Sequence, residues 1–136
     1  MIDTFRLDLV ARRRVPFDYR VEIENFDAST ADLLRFNVRP KGAEDQGSAV
    51  IALDLTTTWG GEGVSFMVDS SGDDPVTTLR IRIAEGTLEA VPRAAALGLE
   101  AGEPVTYLYE LMVRTLTIDN SVLLEGNFTI LPGVVP

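Results

Sequence analysis

Histidine and cysteine are both absent from this chain of 136 residues. Without histidine there is no neutral imidazole base and no Ser-His-Asp arrangement. Without cysteine there is no thiolate nucleophile, no disulfide and no Cys-ligated metal. Lysine occurs once, as Lys41, and no GxGxxG or Walker spacing surrounds it or any glycine. The glycines at 60, 61 and 63 therefore read as a turn and not as a phosphate loop. Positive charge is scarce overall, with 12 basic against 21 acidic residues and a net charge of -9. That balance opposes a broad phosphate-binding surface. Tryptophan also occurs once, at Trp59, a thin surface for sugar stacking. The pattern of aromatics among basic residues on an RNA-binding sheet is not met. No run approaches the roughly 18 apolar residues of a membrane helix. The N-terminal MIDTFRLDLV does not read as a signal peptide.

What the chain does have is alternation. In 17-FDYRVEIENF-26, Tyr19, Val21 and Ile23 alternate with Asp18, Arg20, Glu22 and Glu24. Period two is the pattern of a half-buried strand. The same signal recurs over 5–11, 33–40, 64–69 and 76–84. The β-branched stretch 49-AVIALDLTTTW-59 reads as a further strand. In 105–116 and 121–131 the alternation is sustained, with Tyr107, Tyr109, Leu111 and Val113 on one side. Polar or glycine-bearing segments at 27–32, 41–48 and 70–75 separate these runs. The single helical candidate lies within 86–103, a turn or two at most: Pro92 limits it or opens a short helix over about 92–97, and Gly98 and Gly102 stop anything longer.

The expected fold is all-β: one compact antiparallel β-sandwich spanning 1–136, with seven or eight strands and at most one short helix. Repeated parallel-sheet units do not fit, because the crossover helices are absent. With Asp119-Asn120 as a tight turn, the final hairpin pairs Arg114 with Glu125, Leu111 with Phe128 and Tyr109 with Ile130. Gly126 then lies opposite Val113.

Chemistry is thinly represented. The carboxylates at Asp73-Asp74, Glu44-Asp45 and Glu100/Glu103 sit in expected loops and read as solvated surface. The stretch 69-DSSGDD-74 has acidic oxygens and a glycine but lacks EF-hand spacing. No catalytic residue, cofactor site or metal site is expected. Arg12-Arg13-Arg14 has three readings: a solvated strand end, ion pairs to an acidic neighbouring subunit, or nucleic-acid contact, which the net charge disfavours. Trp59 reads as a core-edge anchor or an interface anchor. The closing 131-LPGVVP-136 is either a loose end or a tail that docks on a neighbour.

The segments 34-LRFNVRPKG-42, 108-LYELMV-113 and 123-LLEGNFTILPGV-134 carry a resemblance. Together they resemble a module of tailed-bacteriophage structural proteins, the N-terminal domain of the phage baseplate upper protein family. Arg39 matches an arginine ending an early strand. Tyr109, Glu110 and Leu111 match a late strand, and Leu123, Leu124 and Gly126 the closing one. Glutamate stands where aspartate is commoner, and the turn at Thr117–Asn120 lacks the usual glycine. The resemblance implies a β-sandwich virion component (tail, baseplate or capsid-associated) that contacts copies of itself and other virion proteins. It implies production in the host bacterial cytoplasm, and neither nucleic-acid nor membrane partners. The residues expected at interfaces are Arg12, Arg13, Arg14, Arg39, Trp59, Pro132, Val134 and Val135. The alternative is a β-sandwich that binds carbohydrate or a cell surface, through an exposed aromatic around Trp59.

Overall fold

A computed structural model describes residues 4–41, 49–92, 97–98, 100 and 102–132. The chain forms a β-sandwich of two sheets with one short helix. The strands are β1 (Phe5–Arg6), β2 (Leu9–Arg12), β3 (Phe17–Glu24), β4 (Leu33–Pro40), β5 (Ile51–Asp54), β6 (Gly63–Asp69) and β7 (Val76–Ile83). Helix α1 (Glu85–Glu89) follows, then β8 (Val105–Arg114) and β9 (Ser121–Leu131). The larger sheet runs β1-β9-β8-β4-β5, with β2 also on β9, and the smaller runs β3-β7-β6.

Alternation decides which side of each strand is buried. In β7, Leu79, Ile81 and Ile83 are buried, while Arg80 and Arg82 lie on the outer face. In β8, Tyr107, Tyr109, Leu111 and Val113 face inward. Phe17, Phe36, Tyr109 and Phe128 meet at the centre of the core. Phe128 makes edge-on contacts with Phe17 at 5.3 Å and with Phe36 at 5.8 Å between ring centroids. Such pairs add about 0.5–1.5 kcal/mol each beyond the area they bury.

Four expectations are corrected. The run 5–11 is not one strand: it breaks at Leu7-Asp8 into β1 and β2. Both pieces pair parallel to β9, Phe5 with Leu124 and Leu9 with Phe128, so the sandwich is antiparallel except along this edge. The N-terminal strand thus completes its own sheet. The break has a side-chain cause. The Asn127 amide donates to Asp8 Oδ1 (3.0 Å), and Tyr109 Oη donates to the Leu7 carbonyl (2.5 Å). Second, the strand expected over 49–59 shortens to β5. Thr56 N–H leaves the larger sheet and donates to Val64 O on β6 (2.9 Å), which turns the chain between layers.

Third, the helix falls at the start of the expected 86–103 window, at Glu85–Glu89 before Pro92; of the 92–97 option, residues 93–96 lie outside the described residues. Its ends are closed by distant groups. Ala84 N–H and Thr87 Oγ1 both donate to Glu62 Oε2, at 2.6 and 2.7 Å. Fourth, the last hairpin has a longer connection and another register. Leu111 pairs with Leu124, Tyr109 with Gly126 and Tyr107 with Phe128, with a bulge between Leu111 and Met112. Thr115 organises the loop: its Oγ1 accepts from Ile118 N–H (3.0 Å), and its own N–H donates to Ile118 O (2.9 Å). A side chain standing in for a backbone turn replaces the expected Asp-Asn turn.

Gly126 therefore faces Tyr109 across the hairpin, and on its other flank it meets the N-terminal chain. A Cβ there would fall on the Leu7 carbonyl oxygen, well inside contact distance, and 3.0 Å from Asp8 Oδ1. Only glycine lets the chain between β1 and β2 approach this closely.

Candidate functional site

The residues expected at interfaces are dispersed, and the arginine triplet divides. Arg12 is exposed on the outer face of β2, opposite Leu131. Arg13 is only 4% exposed. Its guanidinium donates to the carbonyls of Leu88 (3.0 Å), Val91 (3.0 Å) and Pro92 (2.9 Å). It holds the carboxyl end of α1 and the turn after it, so Arg13 is a structural arginine, withdrawn from the surface. Arg14 is exposed at the corner between sheets, with positive φ, and its N–H donates to Glu89 Oε1 (2.9 Å). Pro132 is half-buried after β9, and Val134 and Val135 lie outside the described residues.

Trp59 sits against the outer face of the smaller sheet. The guanidinium carbons of Arg20 and Arg80 lie 5.5 and 5.3 Å from its ring centre. Arg80 is in turn held by Asp18 through two hydrogen bonds, of 2.8 and 2.6 Å. The Arg80 hydrogen bond holds the Asp18 carboxyl below its ordinary range, more than burial raises it. Asp18, Arg80, Trp59 and Arg20 form one connected cluster on that outer face, with Trp59 half-buried and outside the hydrophobic core. Shallow clefts flank the ring; the larger, about 490 Å³, is bordered by Arg20, Met67 and Asp69.

A further concave surface lies on the outer face of the larger sheet. Strand register sets one row of residues across it: Ala52, Asn37, Glu110, Glu125 and Arg6, each opposite the next. Arg39 and Leu108 form the adjoining row. The trough these residues line measures about 380 Å³. Asn37 is only 7% exposed, although it points away from the core. Glu110 and Glu125 stand directly opposite one another, a like-charge pair that weakens a sheet. Among the described residues neither makes an ion pair within 4 Å. Arg39, expected from sequence as an interface residue, is half-buried at the rim. Arg6, Asn37, Glu110 and Glu125 were not singled out by sequence for this site. Their outward positions follow from alternation, but their adjacency needed the strand order.

The loop carboxylates do not converge. Asp69 Oδ1 accepts from Ser71 N–H (2.9 Å) and Ser71 Oγ (2.6 Å), a local turn. Asp73, Asp74, Glu100 and Glu103 are exposed, and Glu44 and Asp45 lie outside the described residues. Among the described residues no group of three or more acidic side chains is placed to hold a metal ion. No described helix is long and apolar enough to cross a membrane.

No family model matches the sequence, and no curated protein matches it. Among solved structures, the CupB6 tip adhesin from Pseudomonas aeruginosa aligns at 14% identity with a TM-score of 0.37. The alignment covers 99% of this chain and 42% of that one, so the chain spans less than half the adhesin's length. A TM-score of that size is below the level at which two folds are shared.

Proposed function

We propose that this chain is a non-enzymatic virion structural protein of a tailed bacteriophage, acting in the tail, baseplate or capsid surface through protein–protein contacts. The observation that carries this reading is the outer face of the larger sheet. The three segments behind the phage resemblance fold into β4, β8 and β9, which are consecutive neighbours in that sheet. Their inward residues build the core. Their outward residues, Asn37, Arg39, Leu108, Glu110 and Glu125, line the uncovered trough. A face carrying charges of both signs beside the exposed apolar Leu108 has the makings of an interface.

Assembly on this reading comes from repeated copies making symmetric contacts. The carbohydrate-binding alternative needs an aromatic ring open to a sugar, whereas Trp59 already has two guanidinium groups beside it. The test is the mass of the purified protein, alone and after mixing with lysate from phage-producing cells, with the co-purifying proteins identified. A closed oligomer, or capture of a virion protein, is the expected result. A monomer that captures no virion protein and binds glycan would overturn the reading.

A further inference from the structure

We infer that the outer face of the larger sheet is an isologous interface: two copies of this chain pack face to face, with Arg39 of each set against Glu110 of the other. The inference deepens the proposed assembly role and rests on it.

Charge is the first argument. A chain of net charge -9 repels its own copies. The outer face of the larger sheet escapes this. Arg6, Arg12, Arg35 and Arg39 lie on it, against Asp54, Glu110 and Glu125, with Asp8 at its edge. The face is balanced, so the acidic excess lies elsewhere, and two copies approach most easily through this surface. The other broad sheet face also carries arginines, and both faces hold an intrachain pair, Arg80 with Asp18 there and Arg35 with Asp54 here.

The second argument is what the isolated face leaves unmet. Glu110 and Glu125 oppose one another without an ion pair among the described residues. Asn37 lines the floor of the trough, and its side-chain amide makes no hydrogen bond to a described residue and is left to solvent. Val10 is 58% exposed and Leu108 41% exposed on the same surface. These groups call for a partner that brings cations and apolar cover together.

The third argument is self-complementarity. Arg39 lies on β4 and Glu110 on the adjacent β8, one row apart. A twofold axis lying in the interface and passing between them exchanges the two positions. Arg39 of each copy then covers Glu110 of the other, a contact made twice. That is the reciprocity of an isologous pair. The axis falls near the middle of the sheet, so the overlap is broad. The long strands β9, β8 and β4 give roughly 15 Å by 30 Å, and the short β1, β2 and β5 at the edges extend this toward the about 800 Å² per partner of a stable interface.

The experiment is sedimentation equilibrium of the purified chain across the micromolar range, at low and high salt. The expected mass is a dimer, or a multiple of one, that loosens in high salt. Glu110→Arg and Arg39→Glu each set like charges together and should weaken association at least tenfold. The double variant carrying both should recover it. Thermal melts check that each variant is folded, and Glu110→Gln, which removes charge without adding bulk, should fall between wild type and Glu110→Arg. A wild-type oligomer indifferent to all four variants overturns this face while leaving self-assembly in place. A monomer at every concentration overturns the inference, and the virion reading then stands or falls on capture of a virion protein.

Discussion

Replacing Gly126 by alanine tests the closest backbone approach made at any described glycine. The new methyl would meet the Leu7 carbonyl carbon at 2.9 Å and Asp8 Oδ1 at 3.0 Å, besides striking the carbonyl oxygen itself. The obstacle is mostly backbone, so a rotamer change does not clear it. Relief requires the chain between β1 and β2 to move off β9. Three hydrogen bonds are then lost or stretched: Leu7 N–H to Glu125 O (2.9 Å), Tyr109 Oη to Leu7 O, and Asn127 N–H to Asp8 Oδ1 (3.0 Å). At about 0.5–1.5 kcal/mol each, the loss is about 2–4 kcal/mol. For a domain of this size that lowers the melting temperature by roughly 10 °C. Gly86→Ala is the matched control. Gly86 lies within α1 and a Cβ there meets nothing within 4 Å, so the same substitution should stabilise by about 0.5–1 kcal/mol. Urea unfolding followed by circular dichroism reads both. Equal effects from the two variants, or a neutral Gly126→Ala, would refute the placement of the N-terminal chain against β9.

Arg13→Met removes the guanidinium donor from the Val91 and Pro92 carbonyls and leaves the Leu88 carbonyl only Val91 N–H, and should lower stability by about 3 kcal/mol. Arg12→Ala, one residue away, should stay within about 0.5 kcal/mol, both read from denaturant midpoints. Asp18→Asn should destabilise at neutral pH but not in strong acid. The Arg80 hydrogen bond lowers the folded-state pKa of Asp18. Its contribution is therefore complete above the unfolded aspartate value of about 4 and disappears as pH falls through the lower folded value. Melting curves of both proteins across acidic pH should converge. Burial, followed by the nearby Asp8, raises the Tyr109 phenol above its ordinary range. Above pH of about 10 the unfolded chain releases this proton and the folded chain keeps it, so stability falls by up to about 1.4 kcal/mol per pH unit. Tyr109→Phe should flatten that alkaline slope, at the cost of a lower plateau at neutral pH.

The strands were legible because burial alternates along each of them. Leu79, Ile81 and Ile83 against Arg80 and Arg82 is a pattern that one residue of slippage would turn inside out. What escaped was set by partners remote in sequence. Helix α1 has no side-chain cap of its own and carries Gly86, so propensity argues against it. Glu62 at one end and Arg13 at the other close it from other parts of the chain. The hairpin register failed because Thr115 makes a loop by side-chain hydrogen bonding, which leaves no glycine signature. The division of the arginine triplet followed alternation, with Arg13 taking the inward step, but a guanidinium on that side does not advertise three waiting carbonyls. The trough was the least legible feature. Asn37, Glu110, Glu125 and Arg6 come from four strands, and their row exists only once β1, β9, β8 and β4 are ordered side by side.

Carboxylate footprinting is the most direct test of the claim that the outer face of the larger sheet is where this protein docks. The label is applied to the dilute chain and to the concentrated or assembled form, and modification is compared residue by residue. Glu110 and Glu125 should become protected on assembly, while the exposed Asp73, Asp74, Glu100 and Glu103 label as before. Unchanged labelling of Glu110 and Glu125 in an assembly whose formation is independently established would contradict the account.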